Sequence, residues 1–298
     1  MLRNYAEITE KLRRGPRRTV AIAAAADAAL LEAAGIMLKE GLAEPILVGD
    51  AAGVRALAAE TDLDPAALSV VDEPDDAAAA LYAARLVRNG EAEVLIKGNV
   101  NTSDFLRAVL DKESGIRGGG ILSHLAAFET PGCSRLIILT DGGMNLYPAL
   151  DEKIEILKNA VDALHKLGVE RPNVAALSAN EAVNPKSASS MDADALARMN
   201  AAGGISGCIV EGPIALDVAL SADAARHKRI ESRIAGETDL FLVPNIDAGN
   251  IMGKTLICCA RAKMAGVVLG AKAPIVLVSR SDNAESKVNS LALACALI

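Results

Sequence analysis

The sequence of 298 residues predicts an α/β fold with mainly parallel sheets and helices on both faces. Short apolar runs alternate with helical patterns along the whole chain, which is typical of βαβ units. The length corresponds to one large domain or two medium domains, at the usual ~150 residues per domain. Half of the residues are hydrophobic (51%) but only 2% are aromatic, so alanine, leucine, valine and isoleucine must fill the cores.

The strand and helix patterns follow one another in a regular order. The clearest helix is predicted at 152–167, because its apolar residues recur along one face and Gly168 provides a stop signal. Further helices are predicted up to about residue 40, at 54–60, at 105–110, up to Leu196 and from Ala284 onwards. Apolar runs predict strands at 19–24, 45–49, 94–97, 121–128, 136–140, 174–178, 208–210, 240–243, 267–269 and 274–278.

Charge and composition exclude several classes of protein. A formal net charge of -7 and few aromatic residues argue against binding to nucleic acid, which needs a basic face and stacking platforms. No apolar run reaches the ~20 residues that cross a bilayer, so no membrane partner is expected. Arg13-Arg14 precedes an apolar run, as in a twin-arginine export signal, but Asp27 interrupts that run. The five cysteines form no C-x-x-C pair. Reduced thiols in a cytoplasmic protein are therefore expected.

Polar residues collect where the predicted strands end. In parallel α/β sheets, ligands bind outside the carboxyl ends of the strands. Basic residues follow several of these ends, including Arg107 and Lys254, which favours a small phosphorylated substrate. The predicted strand ends are Lys97–Asn99, Thr140–Gly143, Ser178–Glu181, Glu211–Pro213, Asn245–Asn250 and Ser279–Arg280.

The segment 273–298 is predicted to form a strand, a polar turn and a helix. Asp282 and Glu285 have the spacing of a capping box at the start of that helix. Ser279 and Arg280 then lie on the turn, beside a helix N-terminus that favours an anion. The alternative is an ordinary turn that carries a solvated arginine.

Other named chemistries lack a required residue. Gly249–Thr255 nearly matches a phosphate-binding P-loop, but Ala248 stands where the motif needs glycine. Gly118–Gly120 is not the G-x-G-x-x-G of a dinucleotide site. The histidines lack metal-ligand spacing, so no metal site is expected.

A combination of motifs across nearly the whole chain resembles the phosphate acetyl/butyryltransferase family. Asp141-Gly-Gly-Met-Asn145 and Ala284-Glu-Ser-Lys287 look more like the butyryltransferase branch. The other motifs are Lys97-Gly98 with Thr102 and Asp104–Leu110, Leu122–His124, Val183–Lys186, Glu211–Asp217, Val243–Asn250 and Ser279-Arg280.

The resemblance implies an enzyme that reversibly exchanges a short acyl group between coenzyme A and inorganic phosphate. It implies two α/β/α domains with mainly parallel sheets and an interdomain cleft, a fold of the isocitrate/isopropylmalate dehydrogenase type. It also implies dimers or larger homo-oligomers. Coenzyme A is then a substrate, acyl phosphate a product, and no bound cofactor is implied. The domain boundaries are expected at 1–118 plus 283–298 and at 119–282.

The resemblance also implies roles for single residues. Ser279 and Arg280 would act at the reacting centre, and Arg107 would help to bind phosphate. The thiol base of the acetyltransferase pattern falls on Ser286, so Glu285 is the candidate base, with helix capping as its alternative role. The remaining candidates for substrate binding are Lys97, Asn99, Thr102, Asp141, Asn245, Asn250 and Lys254.

Acyl-chain preference depends on Gly253, which stands where the family often has tyrosine. A glycine there is expected to leave room for a longer chain, so butyryl is predicted to be preferred over acetyl. Phosphate acetyltransferase is the alternative within the family. A decarboxylating dehydrogenase is a further alternative, which is disfavoured because the sequence shows no clear metal-binding aspartate cluster. A non-catalytic sensor of coenzyme A or acyl phosphate would use the same anion-binding turns.

Overall fold

The computed structural model describes residues 3–61, 63–64, 68–277 and 283–298. The chain divides into two compact units, one of which is interrupted in sequence. The interrupted unit consists of Asn4–Gly120 and Lys263–Ile298. The inserted unit is Ile121–Ala262, together with Arg3.

The described residues contain helices and strands in the alternation that the sequence predicts. In chain order they are α1 (Tyr5–Arg13), β1 (Arg18–Ala23), α2 (Ala28–Lys39), β2 (Ala43–Gly49), α3 (Ala51–Ala59), β3 (Ser69–Asp72), α4 (Asp76–Arg88), β4 (Val94–Lys97), α5 (Thr102–Leu110), β5 (Ser123–Glu129), β6 (Ile137–Thr140), α6 (Leu150–Lys166), β7 (Asn173–Leu177), α7 (Ala188–Ala201), β8 (Ile209–Ile214), α8 (Leu216–Leu220), α9 (Ala222–Lys228), β9 (Leu240–Leu242), α10 (Ile246–Ala260), β10 (Lys263–Leu269), β11 (Ile275–Val276) and α11 (Ala284–Cys295).

The strands of the interrupted unit lie in the order β3-β2-β1-β4-β11-β10. All neighbours are parallel except β10, which pairs with β11 in the antiparallel sense. Strand β11 pairs with β4, so the C-terminal segment belongs to this unit. The chain returns to the unit at Lys263, the first residue of β10. The sequence-based boundary at 283 therefore differs from this division.

The inserted unit has strand order β5-β6-β9-β7-β8. Only β5 is antiparallel to its neighbour β6, and the other pairs are parallel. Both units thus have mainly parallel sheets with helical connections, and the predicted fold class is confirmed.

Aspartates place the helices of the interrupted unit directly after its strands. Asp27, Asp50 and Asp75 are the N-caps of α2, α3 and α4, and each side chain accepts a backbone N–H of the first turn. Such caps are worth about 1 kcal/mol each and fix where a helix begins. The helix N-termini consequently follow the carboxyl ends of β1, β2 and β3.

Small side chains form much of the core, as the composition predicts. Helix α4 buries Ala79, Ala80, Ala83 and Ala84 completely. A helix face of alanines can approach a sheet closely. This close packing compensates for the buried apolar area that aromatic rings would otherwise provide. Among the described residues, no helix has both the length and the apolarity needed to cross a bilayer.

Candidate active site

The carboxyl end of β4 places three predicted residues at one edge of the interrupted unit's sheet. Lys97 ends the strand and is 5% exposed, and its Nζ donates to the Gly98 carbonyl at 3.2 Å. Gly98 must be glycine, because a Cβ there would lie 2.4 Å from the Ala24 carbonyl oxygen. Asn99 follows and is exposed. A buried ammonium group therefore lies beside an exposed amide at this edge.

The turn after β1 holds the β4 turn in place. Gly98 N–H donates to the Ala23 carbonyl and Asn99 N–H to the Ala24 carbonyl, both at 2.8 Å. Ala24 has φ of 49°, in the left-handed region that alanine rarely adopts. Backbone strain of this kind persists where the surrounding structure enforces it, and such residues cluster at functional sites.

Helix α5 begins after the β4 turn and carries two further predicted residues. Thr102 is its first residue, and the N-cap Asn101 makes no side-chain capping bond. The first N–H groups of α5 thus lack the usual side-chain acceptor, which favours an anionic ligand. Arg107 lies in the second turn, 75% exposed, with its guanidinium 2.6 Å from Asp104.

Ser279, Arg280 and Asp282 lie outside the described residues. The N-cap of α11 is Asn283, whose side chain accepts Ser286 N–H at 2.9 Å. The predicted capping box of Asp282 with Glu285 is therefore wrong, because the cap lies one residue later and Ser286 takes the third helical position. Glu285 is half exposed and forms an ion pair with Lys263 at 2.8 Å.

Sequence reasoning missed a buried ion pair at the same edge. Lys287 of α11 is 3% exposed and its Nζ lies 3.2 Å from Oδ1 of Asp27, which also accepts Leu30 N–H at 2.8 Å. The pair fastens the first turns of α11 to the turn after β1. The sequence signal for this pair was Lys287 itself, which directly precedes the apolar run of α11. A lysine buried at such a position needs a partner of opposite charge.

In the inserted unit, Asp141 is buried and organises its own loop. Its carboxylate accepts the backbone N–H groups of Gly143 at 2.9 Å and Met144 at 2.8 Å, and both the N–H (3.3 Å) and the amide (2.6 Å) of Asn145. Four donors occupy most of its acceptor capacity. The geometry therefore supports a role in loop structure, and contact with substrate stays a prediction.

The other predicted residues of the inserted unit belong to α10. Asn245 is its N-cap and accepts Ala248 N–H at 3.0 Å. Asn250 and Lys254 lie further along the helix and are exposed. Lys254 is about 12 Å from the start of α10, given 1.5 Å per residue.

The structure of α10 tests two predictions about glycines, the near match to a P-loop at Gly249–Thr255 and the space for an acyl chain at Gly253. Gly249 and Gly253 lie inside the helix, so this segment is no P-loop, which requires a loop before its helix. A Cβ at Gly253 would lie 3.0 Å from Cζ of Phe128. The expectation that Gly253 opens space for an acyl chain is wrong, because the Phe128 ring already fills that space.

Taken by itself, the interrupted unit offers an anion site at one sheet edge. Lys97 supplies a buried ammonium group there and the start of α5 supplies N–H donors, while Lys263 and Lys287 lie at the same edge with their charges paired to Glu285 and Asp27. Oxygen-rich anions such as phosphate bind to this combination of groups. Glu285 supplies an accessible carboxylate beside it.

Comparisons with known proteins agree with the resemblance. A family model described as "Phosphate acetyl/butaryl transferase" matches residues 5–82 and 76–295. Phosphate butyryltransferase of Clostridium acetobutylicum is 45% identical over 99% of this chain and 98% of its own length. The crystal structure of a branched-chain phosphotransacylase from Enterococcus faecalis V583 is 35% identical, with a TM-score of 0.83 over 94% of this chain and 98% of that one.

A more distant structure shares the fold alone. It is 4-hydroxythreonine-4-phosphate dehydrogenase from Klebsiella pneumoniae, which is 15% identical with a TM-score of 0.60 and covers 94% of this chain and 99% of that one. This likeness confirms the dehydrogenase-like fold class. The chain is an acyltransferase and belongs to the phosphate acetyl/butyryltransferase family.

Proposed function

We propose that this enzyme exchanges a butyryl or similar short acyl group between coenzyme A and inorganic phosphate. The main support is identity of 45% along nearly the whole chain to a phosphate butyryltransferase. The sheet edge of the interrupted unit adds physical support, because the reaction requires a phosphate site and this edge combines the Lys97 ammonium group with the N–H donors of α5.

The proposed reaction needs no covalent enzyme intermediate. In one direction a phosphate oxygen attacks the thioester carbonyl carbon, the C–S bond breaks, and the coenzyme A thiolate takes up a proton. In the other direction the thiol loses its proton and its sulfur attacks the acyl phosphate, which releases phosphate. In both directions negative charge develops on the carbonyl oxygen, where hydrogen-bond donors are worth a few kcal/mol each.

Arg280 and Arg107 are the proposed phosphate ligands. For Arg107, the present contact with Asp104 is an exposed ion pair on one helix. Such pairs contribute only about 0.2–1 kcal/mol, so a dianionic phosphate can take over the guanidinium at little cost. Ser279 is the proposed donor to the carbonyl oxygen.

Glu285 is the proposed base that accepts the thiol proton and returns it in the reverse direction. Its carboxylate is about half exposed and held by Lys263, so the incoming thiol must displace or share that lysine. Displacement of Lys263 from Glu285 costs little free energy, because exposed ion pairs contribute only about 0.2–1 kcal/mol. Lys263 then remains close enough to stabilise the thiolate that forms.

The other predicted ligands keep their places in this proposal. Lys97 and Asn99 precede α5 in the chain and Thr102 is its first residue, and these three residues would bind phosphate oxygens. The remaining predicted ligands, Asp141, Asn245, Asn250 and Lys254, belong to the inserted unit and would contact the acyl-CoA. Coenzyme A enters and leaves as a substrate, and a cytoplasmic homo-oligomer is proposed as the working form.

Butyryl preference is the finer part of the proposal. Burial of each additional methylene is worth roughly 0.8 kcal/mol, and two methylenes separate butyryl from acetyl. We therefore expect butyryl-CoA to exceed acetyl-CoA in kcat/KM by about tenfold. Initial rates with acetyl-, butyryl- and isobutyryl-CoA measure this directly. A higher kcat/KM for acetyl-CoA would assign the acetyltransferase activity instead.

Release of free thiol tests the proposed reaction. Purified enzyme with butyryl-CoA should liberate thiol only when phosphate is present, and butyryl phosphate should accumulate in equal amount. Thiol release without phosphate would indicate a hydrolase. No release from any short acyl-CoA, together with measurable binding of acyl-CoA, would indicate a sensor.

A further inference from the structure

The most exposed apolar side chains of the described residues lie together on the inserted unit. Leu146, Tyr147 and Ile251 are 64%, 70% and 65% exposed, whereas Val183, which ranks next among the large hydrophobic residues, is 48% exposed. A cluster of exposed apolar side chains is typical of a surface that binds a ligand or a partner. We call the group of Leu146, Tyr147 and the outward face of α10 the α10 surface.

Tyr147 presents an aromatic ring on this surface, and hydrogen bonds attach its loop to the first turn of α10. The Tyr147 hydroxyl donates to Oδ2 of Asp247, and Ile246 N–H donates to the Leu146 carbonyl at 3.0 Å. The bond to Asp247 raises the pKa of Tyr147, because Asp247 stabilises its protonated form. The ring is therefore tethered at neutral pH, although most of its area is exposed.

No other aromatic side chain of the chain is exposed to this degree. The other aromatic residues are buried, apart from Tyr82 of α4, which is 36% exposed and belongs to the interrupted unit. A flat, exposed and tethered ring is a stacking platform, and a purine or pyrimidine base stacks on such a platform whatever its sequence context.

The outward face of α10 adds polar groups beside the ring. Gly249 and Gly253 form the buried side of the helix, so its larger side chains project away from the unit. Asp247, Ile251 and Lys254 are all exposed and share one helical face at i, i+4 and i+7. Lys254 forms no ion pair within the described residues, and its charge is available to an anion.

These groups match an adenosine nucleotide. The Tyr147 hydroxyl occupies Oδ2 of Asp247, while Oδ1 makes no hydrogen bond within the described residues and can accept the exocyclic amino group of adenine. Lys254 lies about 10 Å further along the helix from Asp247, at 1.5 Å per residue. This separation is similar to the distance from the amino group of an adenosine nucleotide to its phosphates.

The position of the surface agrees with the binding of acyl-CoA proposed above, on which this inference rests for its ligand. Helix α10 begins after the carboxyl end of β9, and its exposed face carries Asn250 and Lys254, two of the predicted acyl-CoA ligands. Coenzyme A is the substrate of that reaction that contains a nucleotide. We propose that the α10 surface binds the adenosine end of coenzyme A, with adenine stacked on Tyr147 between Leu146 and Ile251, and a phosphate bound to Lys254.

Binding of coenzyme A tests the inference without turnover. Isothermal titration calorimetry of the full chain measures the Kd, and Tyr147→Ala should raise it by about 5- to 100-fold, the usual effect of removing an aromatic platform from a base. Tyr82→Ala is the matched control and should leave the Kd unchanged. Lys254→Met should also raise the Kd, and added salt should reduce its difference from the wild type, because salt screens an exposed charge.

A truncated substrate separates this site from the reacting centre. Butyryl-pantetheine carries the thioester but lacks the nucleotide. The ratio of kcat/KM for butyryl-CoA to kcat/KM for butyryl-pantetheine should fall by about 5- to 100-fold in Tyr147→Ala. An equal loss with both thioesters would overturn the inference. If the wild type forms butyryl phosphate from neither thioester, the proposed function fails, but the titration with coenzyme A still decides whether this site exists.

A fluorescent variant tests stacking directly. The chain contains no tryptophan, so Tyr147→Trp introduces a single indole at the proposed platform. Coenzyme A should bind to this variant with a Kd near that of the wild type and quench its fluorescence by stacking, whereas pantetheine should not. This variant keeps an aromatic ring and decides the question even if Tyr147→Ala does not fold. An unchanged Kd in Tyr147→Ala, or binding to Tyr147→Trp without quenching, would overturn the inference.

Discussion

The buried pair of Lys287 and Asp27 predicts an asymmetric response to substitution. Lys287 has a side chain 3% exposed, whereas that of Asp27 is 26% exposed. If Asp27 loses its charge, the ammonium stays buried without a counter-charge. If Lys287 loses its charge, Asp27 still accepts Leu30 N–H and is reached by water.

The expected magnitudes follow from this difference. Removing one partner of a buried pair costs about 3–5 kcal/mol, and partial access of water to Asp27 reduces this to about 2–3 kcal/mol for Asp27→Asn. Lys287→Met preserves the packing of the lysine stem and should cost about 1 kcal/mol or less. The double variant should resemble Lys287→Met alone, which corresponds to a coupling of about 2 kcal/mol.

Urea unfolding followed by far-ultraviolet circular dichroism measures these values in a chain without tryptophan. Lys153 and Asp192 form a similar pair in the inserted unit, 6% and 25% exposed and 2.6 Å apart. Asp192→Asn is therefore a matched control that should destabilise the inserted unit instead. Equal costs for Asp27→Asn and Lys287→Met, or additive costs in the double variant, would refute the reasoning.

Four further predictions concern side-chain chemistry. Arg280→Lys should raise the KM for phosphate more than that for acyl-CoA, since lysine lacks the planar fork that binds two oxygens, and Ser279→Ala should lower kcat by ~10- to 1000-fold. Equal KM effects would indicate a structural arginine, and unchanged turnover would remove Ser279 from the mechanism. Glu285→Gln should lower kcat at neutral pH, and kcat should recover partly as rising pH ionises the thiol. A normal pH profile would leave Glu285 as a partner of Lys263 alone. Burial raises the pKa of Cys295 to about 12, so its thiol stays protonated and should resist alkylation at pH 8 until the protein unfolds. Mass spectrometry after a short pulse of iodoacetamide tests this, and rapid labelling of native Cys295 would contradict it.

Local sequence signals predict strands well where an apolar run has clear boundaries. The prediction at 94–97 matches β4, because Gly98 and the polar residues after it end the run. The prediction at 274–278 is longer than β11, which comprises only Ile275–Val276. Hydrophobicity alone does not specify how many residues of a run find a partner strand.

The capping error at α11 has a different cause. Asp282 and Asn283 are adjacent and both have short side chains that accept a hydrogen bond, so the local pattern allows either residue to cap. Spacing to Glu285 favoured Asp282, but the tertiary structure starts the helix one residue later. The ion pair with Lys263, twenty-two positions away, is absent from any local pattern.

Two further contacts could not be predicted from local sequence patterns for the same reason. They are the ion pair of Lys287 with Asp27 and the packing of the Phe128 ring against Gly253. Each contact joins residues that are distant in sequence and meet only when the units are folded. Family resemblance identified the reaction and the candidate residues, because motifs preserve chemistry. It did not report which side chains fill a particular space.

The interrupted order of the chain has a consequence for its synthesis. A ribosome completes the whole inserted unit before it makes β10, β11 and α11. Until then β4, all of whose residues are buried in the finished protein, presents an open edge where β11 will later pair. Unpaired edges of this kind recruit other strands, so the nascent N-terminal segment should depend on chaperones that shield it until the last residues emerge.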